Sequence, residues 1–146
     1  MKGRLIVAEP PAAYARRPRL VVDASVLAAA LFAEAGTDQA SVWMQGRALC
    51  APQLVDYELA NVALQKVRRR SISGDAAAAA LGAFSALDLE RMGVDSVEVV
   101  RLAARYDLTA YDASYLWLAA ALGAPLATFD ESLGSAARSH LAGDEG

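Results

Sequence analysis

An α/β fold with a parallel sheet covered by helices on both faces follows from three features of this 146-residue chain. Short apolar runs rich in β-branched residues alternate with helix-like segments along the middle of the sequence. Runs such as "LVV" and "ALCA" lack polar alternation, as strands buried on both faces do. Two of the runs, "LVVD" and "LATFD", hand over to a helix through an aspartate.

The elements justify this in order. Residues 1–18 carry Pro10, Pro11 and Pro18 around "ARR", which suits a loose or partner-binding arm. "RLVVDAS" predicts a strand over 19–24, and Ser25 to Glu34 then reads as helix. Thr37 and Asp38 are expected to cap a second helix reaching Arg47. "ALCA" (48–51) predicts a buried strand, with Pro52 in the first turn of a helix that runs to Arg70. "SISGD" breaks the chain before an alanine-rich helix from Asp75 to Leu87. A third strand lies within 87–94, and Asp95 with Glu98 forms a capping-box pattern for a helix to Tyr106. A further helix covers Leu108 to Leu122, ended by "GAP". "LATF" (126–129) predicts a fourth strand, and Ser132 to His140 a last helix. One domain over 19–141 is expected, with a short tail at 142–146.

Composition narrows the function. No apolar run reaches the roughly 18 residues of a membrane-spanning helix. "LIVA" before "EPP" is too short for a secretion-signal core, so a cytoplasmic location is expected. Cys50 is the only cysteine, which leaves no internal disulfide. His140 is the only histidine, which disfavours histidine-based metal sites and Ser-His-Asp catalysis. The formal net charge of −3 gives no global attraction to nucleic acid.

Four acids sit where a purely structural sequence would place something else. Asp23 and Asp130 end strands, at the sheet edge where α/β proteins build sites. Asp112 shares a helical stripe with Tyr115, Leu116, Ala119 and Leu122, and Glu58 shares one with Leu54, Val55, Leu59 and Val62. A carboxylate on a core-facing stripe is costly unless something pairs with it. Innocent readings exist: Asp23, Asp130 and Asp112 as helix caps, and Glu58 as a partner for Lys66 or Arg68. Asp56 reads as an ordinary solvated acid on the far side of its helix. Four convergent carboxylates without cations would repel one another, and a hard divalent cation resolves that repulsion.

At these residues the chain resembles a known family. "VVDASVL", "DYELANVAL", "LTAYDASYLWLA" and "LATFDESL" look, in that order, like the four acidic motifs of PIN-domain ribonucleases. They are most similar to the VapC-type toxins of bacterial toxin–antitoxin pairs. The resemblance covers about residues 19–140. It implies a PIN-like three-layer α/β/α sandwich, with a parallel sheet of four to five strands in the order 3-2-1-4-5. It further implies that Asp23, Glu58, Asp112 and Asp130 form the catalytic and metal-binding site for Mg²⁺ or Mn²⁺. Ser25 and Thr128 would be supporting hydrogen-bonders. The implied activity is metal-dependent endoribonuclease cleavage of RNA phosphodiester bonds, as the toxin partner of a cognate antitoxin. A homodimer is expected, and no membrane association. The alternative is a catalytically silent PIN domain that binds RNA or protein. Two departures stand out: 18 residues precede the first strand, and "SHLAGDEG" offers no convincing fifth strand.

Other residues are candidates for the substrate. Arg68, Arg69 and Arg70, with Lys66, are placed to contact RNA phosphates, or else to sit at a helix carboxyl end favoured by its dipole. Tyr57, Tyr111 and Phe129 each precede a site acid, and they stack on bases or else belong to the core. Competing folds fail on particulars. A haloacid-dehalogenase-like phosphatase needs a second aspartate where Ser25 stands. A receiver domain needs a late strand-end lysine, and the only lysines are Lys2 and Lys66. A metal-dependent adhesion domain needs a serine where Leu27 stands.

Overall fold

The computed structural model describes Ile6 and residues 17–143. The arm expected over 1–18 falls almost wholly outside these, and the expected tail beyond Gly143 does too. Eleven elements alternate along the chain: β1 (Arg19–Val22), α1 (Ala24–Leu31), α2 (Thr37–Met44), β2 (Ala48–Pro52), α3 (Val55–Arg68), α4 (Gly74–Ala86), β3 (Leu89–Met92), α5 (Ser96–Tyr106), α6 (Ala110–Leu122), β4 (Leu126–Ala127) and α7 (Glu131–Leu141).

The four strands form one parallel sheet in the order β3-β2-β1-β4. Leu20, Val21 and Val22 of β1, with Cys50 and Ala51 of β2, are buried, as strands covered on both faces require. Helices α1 to α4 pack with one another, while α5, α6 and α7 form a second group whose α6 lies against β1, β2 and β4. The chain steps outward from β1 through β2 to β3, then returns past β1 to lay down β4. Parallel crossovers keep one hand, so this reversal sends the later helices to the opposite face. It also opens a crevice between the carboxyl ends of β1 and β4. Those strands pair Val21 with Leu126 and Val22 with Ala127. Asp23 N–H continues the ladder to the Ala127 carbonyl at 3.3 Å.

Several boundaries differ from the sequence reading. Pro52 closes β2 opposite Met92 instead of opening α3. At the last rung its missing N–H removes no interior ladder bond, and Gln53 N–H resumes pairing to the Met92 carbonyl. Thr37 does not cap α2, which starts from Gly36 at φ +91° with no side-chain cap. Thr37 instead donates its hydroxyl to the Ala29 carbonyl at 2.7 Å, tying α2 to the end of α1. The left-handed φ at Gly36 favours glycine, and a side chain there would also press the partly exposed Phe129 ring, 2.8 Å away, to shift. Asp95 caps α5 by accepting from Val97 and Glu98 N–H, but Glu98 pairs with Arg101 rather than closing the box. Strand β4 has two residues, not four, because Thr128 and Phe129 turn out of the ladder into the site. Among the described residues no fifth strand follows α7.

Candidate active site

Asp23 stands at the junction of β1 and α1, with only 6% of its surface exposed. Its extended backbone (φ −90°, ψ 174°) makes it the N-cap of α1, so the capping reading holds, yet the carboxylate is used well beyond the cap. Oδ1 accepts from Val26 N–H at 3.1 Å and from the Ser25 hydroxyl at 2.6 Å. Oδ2 accepts from the Thr128 hydroxyl at 2.5 Å. The same two hydroxyls reach onward. Ser25 Oγ accepts from Phe129 N–H at 3.0 Å, and Thr128 Oγ1 accepts from Asp130 N–H at 2.9 Å. Ser25 and Thr128 therefore stitch the turn after β1 to the turn after β4, with the buried carboxylate between them.

Asp130 is the N-cap of α7 and accepts from Leu133 N–H at 2.8 Å. Asp112 lies in the first turn of α6 but does not cap it. That role belongs to Thr109, whose hydroxyl accepts from Asp112 N–H at 3.1 Å. The Thr109 hydroxyl also lies close enough to the Asp112 carboxyl to favour its charged form. Glu58 lies in the first turns of α3, half-buried, and its Oε1 accepts from the Tyr115 hydroxyl at 2.7 Å. It does not pair with Lys66, which bonds Glu34 instead.

The electrostatics place three of the acids within range of one another and of Asp130. Burial pushes the Asp23 carboxyl above the ordinary carboxylate range, against the pull of the Ser25 and Thr128 hydroxyls and the Val26 and Ser25 amides. Burial also raises Glu58, and the negative charges of Asp112 and Asp23 add to the shift, partly offset by the Tyr115 hydroxyl. Asp112 is raised by burial first, then by the charges of Asp130 and Asp23, partly offset by the Thr109 hydroxyl. The ion pairs among the described residues are Lys66–Glu34, Arg91–Asp56 and Arg101–Glu98, and none involves these four acids. The cluster is an uncompensated pool of negative charge.

Such a donor set, all carboxylate oxygen with neutral hydroxyls behind it, suits a hard divalent cation. As the side chains stand, no group of three among the described residues is drawn onto a common ion point. Gathering these oxygens round one cation calls for side-chain adjustment within the cluster. Glu58 meets the Tyr115 hydroxyl through Oε1, which leaves Oε2 free of hydrogen bonds among the described residues, and the Asp112 carboxyl has only the Thr109 hydroxyl beside it.

The surroundings also take shape. Tyr57, Tyr111 and Phe129 are 80%, 66% and 45% exposed, so the core reading fails for all three. Arg68, Arg69 and Arg70 are exposed at the carboxyl end of α3, the opposite end from Glu58. They are not part of the acidic cluster. Asp56 is not simply solvated: Arg91 Nε reaches both its oxygens, at 3.0 and 2.8 Å, and the guanidinium lies over the Phe84 ring. An open groove of about 880 Å³ leads from Thr128 and Asp130 along α7 past Ser132, Ser135 and Arg138. Sequence reasoning missed Tyr115, Thr109 and Arg91. For Tyr115 a signal was present, since it follows Asp112 by one helical turn and carries a hydroxyl into an apolar stripe.

Comparison with known proteins agrees with this architecture. The family model for the PIN domain matches residues 20–139. Ribonuclease VapC3 of Pyrobaculum aerophilum is 33% identical over 120 residues, spanning 79% of this chain and 92% of the relative. The crystal structure of PAE2754 from Pyrobaculum aerophilum superposes with a TM-score of 0.67 at 26% identity, covering 86% of this chain and 88% of that one. Mycobacterium tuberculosis VapC20, described as a sarcin-ricin loop cleaving toxin, gives a TM-score of 0.63 at 20% identity, with coverage of 80% and 94%; at that identity the likeness speaks for the fold alone.

Proposed function

The chain belongs to the PIN-domain family, and from that premise we propose that it is a divalent-metal-dependent endoribonuclease, the toxin of a toxin–antitoxin pair. One observation carries the catalytic reading. Four carboxylates from separate elements lie near enough that Glu58 feels the charges of Asp112 and Asp23, and Asp112 those of Asp130 and Asp23, with no ion pair to a cation of the protein among the described residues. A cluster of that kind repels itself, and a bound cation would offset the repulsion. Similarity to a protein named as a ribonuclease supports the RNA substrate.

The chain's own residues divide the work. Asp23, buried and held by Ser25 and Thr128, is the fixed ligand, and Asp112, Glu58 and Asp130 supply the further oxygens. When bound, Mg²⁺ or Mn²⁺ supplies Lewis-acid stabilisation of charge at the scissile phosphate and activates a water for attack. Tyr57, Tyr111 and Phe129, exposed and each one residue before a site acid, offer faces on which unpaired bases stack. Arg68, Arg69 and Arg70 are suited to more distant phosphates. With the site acids compensated by metal, the rest of the chain is near neutral and does not oppose a polyanion.

Partners follow from the same reading. A cognate antitoxin would hold the nuclease silent, and a second copy of the chain would form the homodimer. No helix among the described residues is long and apolar enough to cross a membrane. The decisive experiment incubates purified protein with a labelled single-stranded RNA in Mg²⁺, in EDTA, and with Asp130→Asn. Cleavage by the native chain in Mg²⁺ alone is expected. Binding without cleavage would point to the silent-domain alternative. Expression without its antitoxin should arrest bacterial growth, and Asp130→Asn should relieve the arrest.

A further inference from the structure

Tyr115 is 1% exposed, within the core that α6 packs against the sheet. A tyrosine that only filled space there would bring a hydroxyl needing a partner in an apolar surrounding. Its partner is not a nearby carbonyl of its own helix. The hydroxyl donates across to Glu58 Oε1 on α3, at 2.7 Å. This is the one side-chain hydrogen bond that Glu58 makes among the described residues. The glutamate side chain has three rotatable bonds, and the charges of Asp112 and Asp23 push on its carboxylate. A ring locked in the core is a rigid post, and its hydroxyl sets where that mobile carboxylate stands. The same helix carries Asp112 one turn earlier, so α6 sets the place of one acid directly and of a second through the post.

We propose that Tyr115 is a positioning residue that holds Glu58 for a divalent cation shared with Asp23, Asp112 and Asp130. This rests on the metal-site reading above. Groups that brace a metal ligand from behind typically change metal affinity by 10- to 100-fold when removed, because the ligand must then be ordered at the expense of binding.

The test titrates the full chain with Mn²⁺ alone, following free ion by electron paramagnetic resonance, with thermal melts in EDTA alongside. Tyr115→Phe keeps the ring and removes the donor. It is expected to weaken Mn²⁺ binding about 10- to 100-fold. In a Glu58→Gln background, adding Tyr115→Phe is expected to cause no further loss, since the hydroxyl acts through Glu58. A Tyr115→Phe chain that melts lower yet binds Mn²⁺ within twofold of the native protein would show a packing role only and overturn the proposal. An equal loss in both backgrounds would overturn it as well, by separating Tyr115 from Glu58. No saturable Mn²⁺ binding by the native chain would overturn the metal site itself and this proposal with it, which distinguishes the two failures.

Discussion

Thr128→Val removes one hydroxyl and almost no volume, and it strikes the joint between the two acid-bearing turns. The lost group donates to Asp23 Oδ2 at 2.5 Å and accepts from Asp130 N–H at 2.9 Å. The Asp130 amide is exposed enough for water to take over, so that half costs little. Asp23 is only 6% exposed, and its Oδ2 accepts no other bond among the described residues. A hydrogen bond to a charged group is worth about 1.5–3 kcal/mol, and leaving a buried acceptor unmet puts the loss within that range. Thr128 is itself half-buried, which favours the lower part, about 2 kcal/mol. With a urea slope typical of a small domain, the unfolding midpoint should fall by about 1 M in EDTA at pH 8. In an Asp23→Asn background the bond joins neutral groups, so the same substitution should cost about 1 kcal/mol. A midpoint within about 0.3 M of the native protein, or an undiminished cost in the Asn background, would refute the idea that Thr128 braces a buried charge.

Asp112→Asn should abolish Mg²⁺-dependent RNA cleavage while the metal-free protein melts no lower than the native chain, because it removes a charge raised by burial and by Asp130 and Asp23; gel assays and calorimetry check both halves. The pH dependence has a definite sign. Asp23, Glu58 and Asp112 are all raised, so the folded metal-free chain holds more protons than the unfolded one between the ordinary carboxylate range and the raised values. Stability in EDTA should therefore fall as pH rises through the raised values, and Mg²⁺ should restore it above them; melts across pH with and without the ion read this directly. Asp56→Asn breaks the exposed pair with Arg91, so it should lower stability by under about 1 kcal/mol in urea titrations and leave cleavage unchanged.

What the sequence revealed depended on whether the signal was local. The strand "LVV" and the aspartates at strand ends were visible because a β-branched run and its polar terminus lie within a few residues. Asp112 and Glu58 were visible because helical periodicity sets a carboxylate against its own apolar neighbours. Pro52 was misplaced because a proline suits the first turn of a helix and the last rung of a strand equally. The exposure of Tyr57, Tyr111 and Phe129 was not legible, since aromatic residues beside a buried stripe fit either side of it. The Tyr115–Glu58 and Arg91–Asp56 bonds join segments far apart in the chain, and only the folded arrangement of α3 against α6 and β3 brings them together. The fifth strand implied by the 3-2-1-4-5 order does not appear among the described residues, in keeping with the polar, glycine-bearing "SHLAGDEG".

The central claim is that four carboxylates at the β1/β4 crevice complete themselves with a divalent cation. Anomalous diffraction from crystals soaked in Mn²⁺ tests it most directly. The account predicts a peak bounded by Asp23, Asp112 and Asp130, with the Glu58 side chain turned toward it and the peak lost in Asp23→Asn crystals. No peak at the crevice, or one that persists in Asp23→Asn, would contradict it.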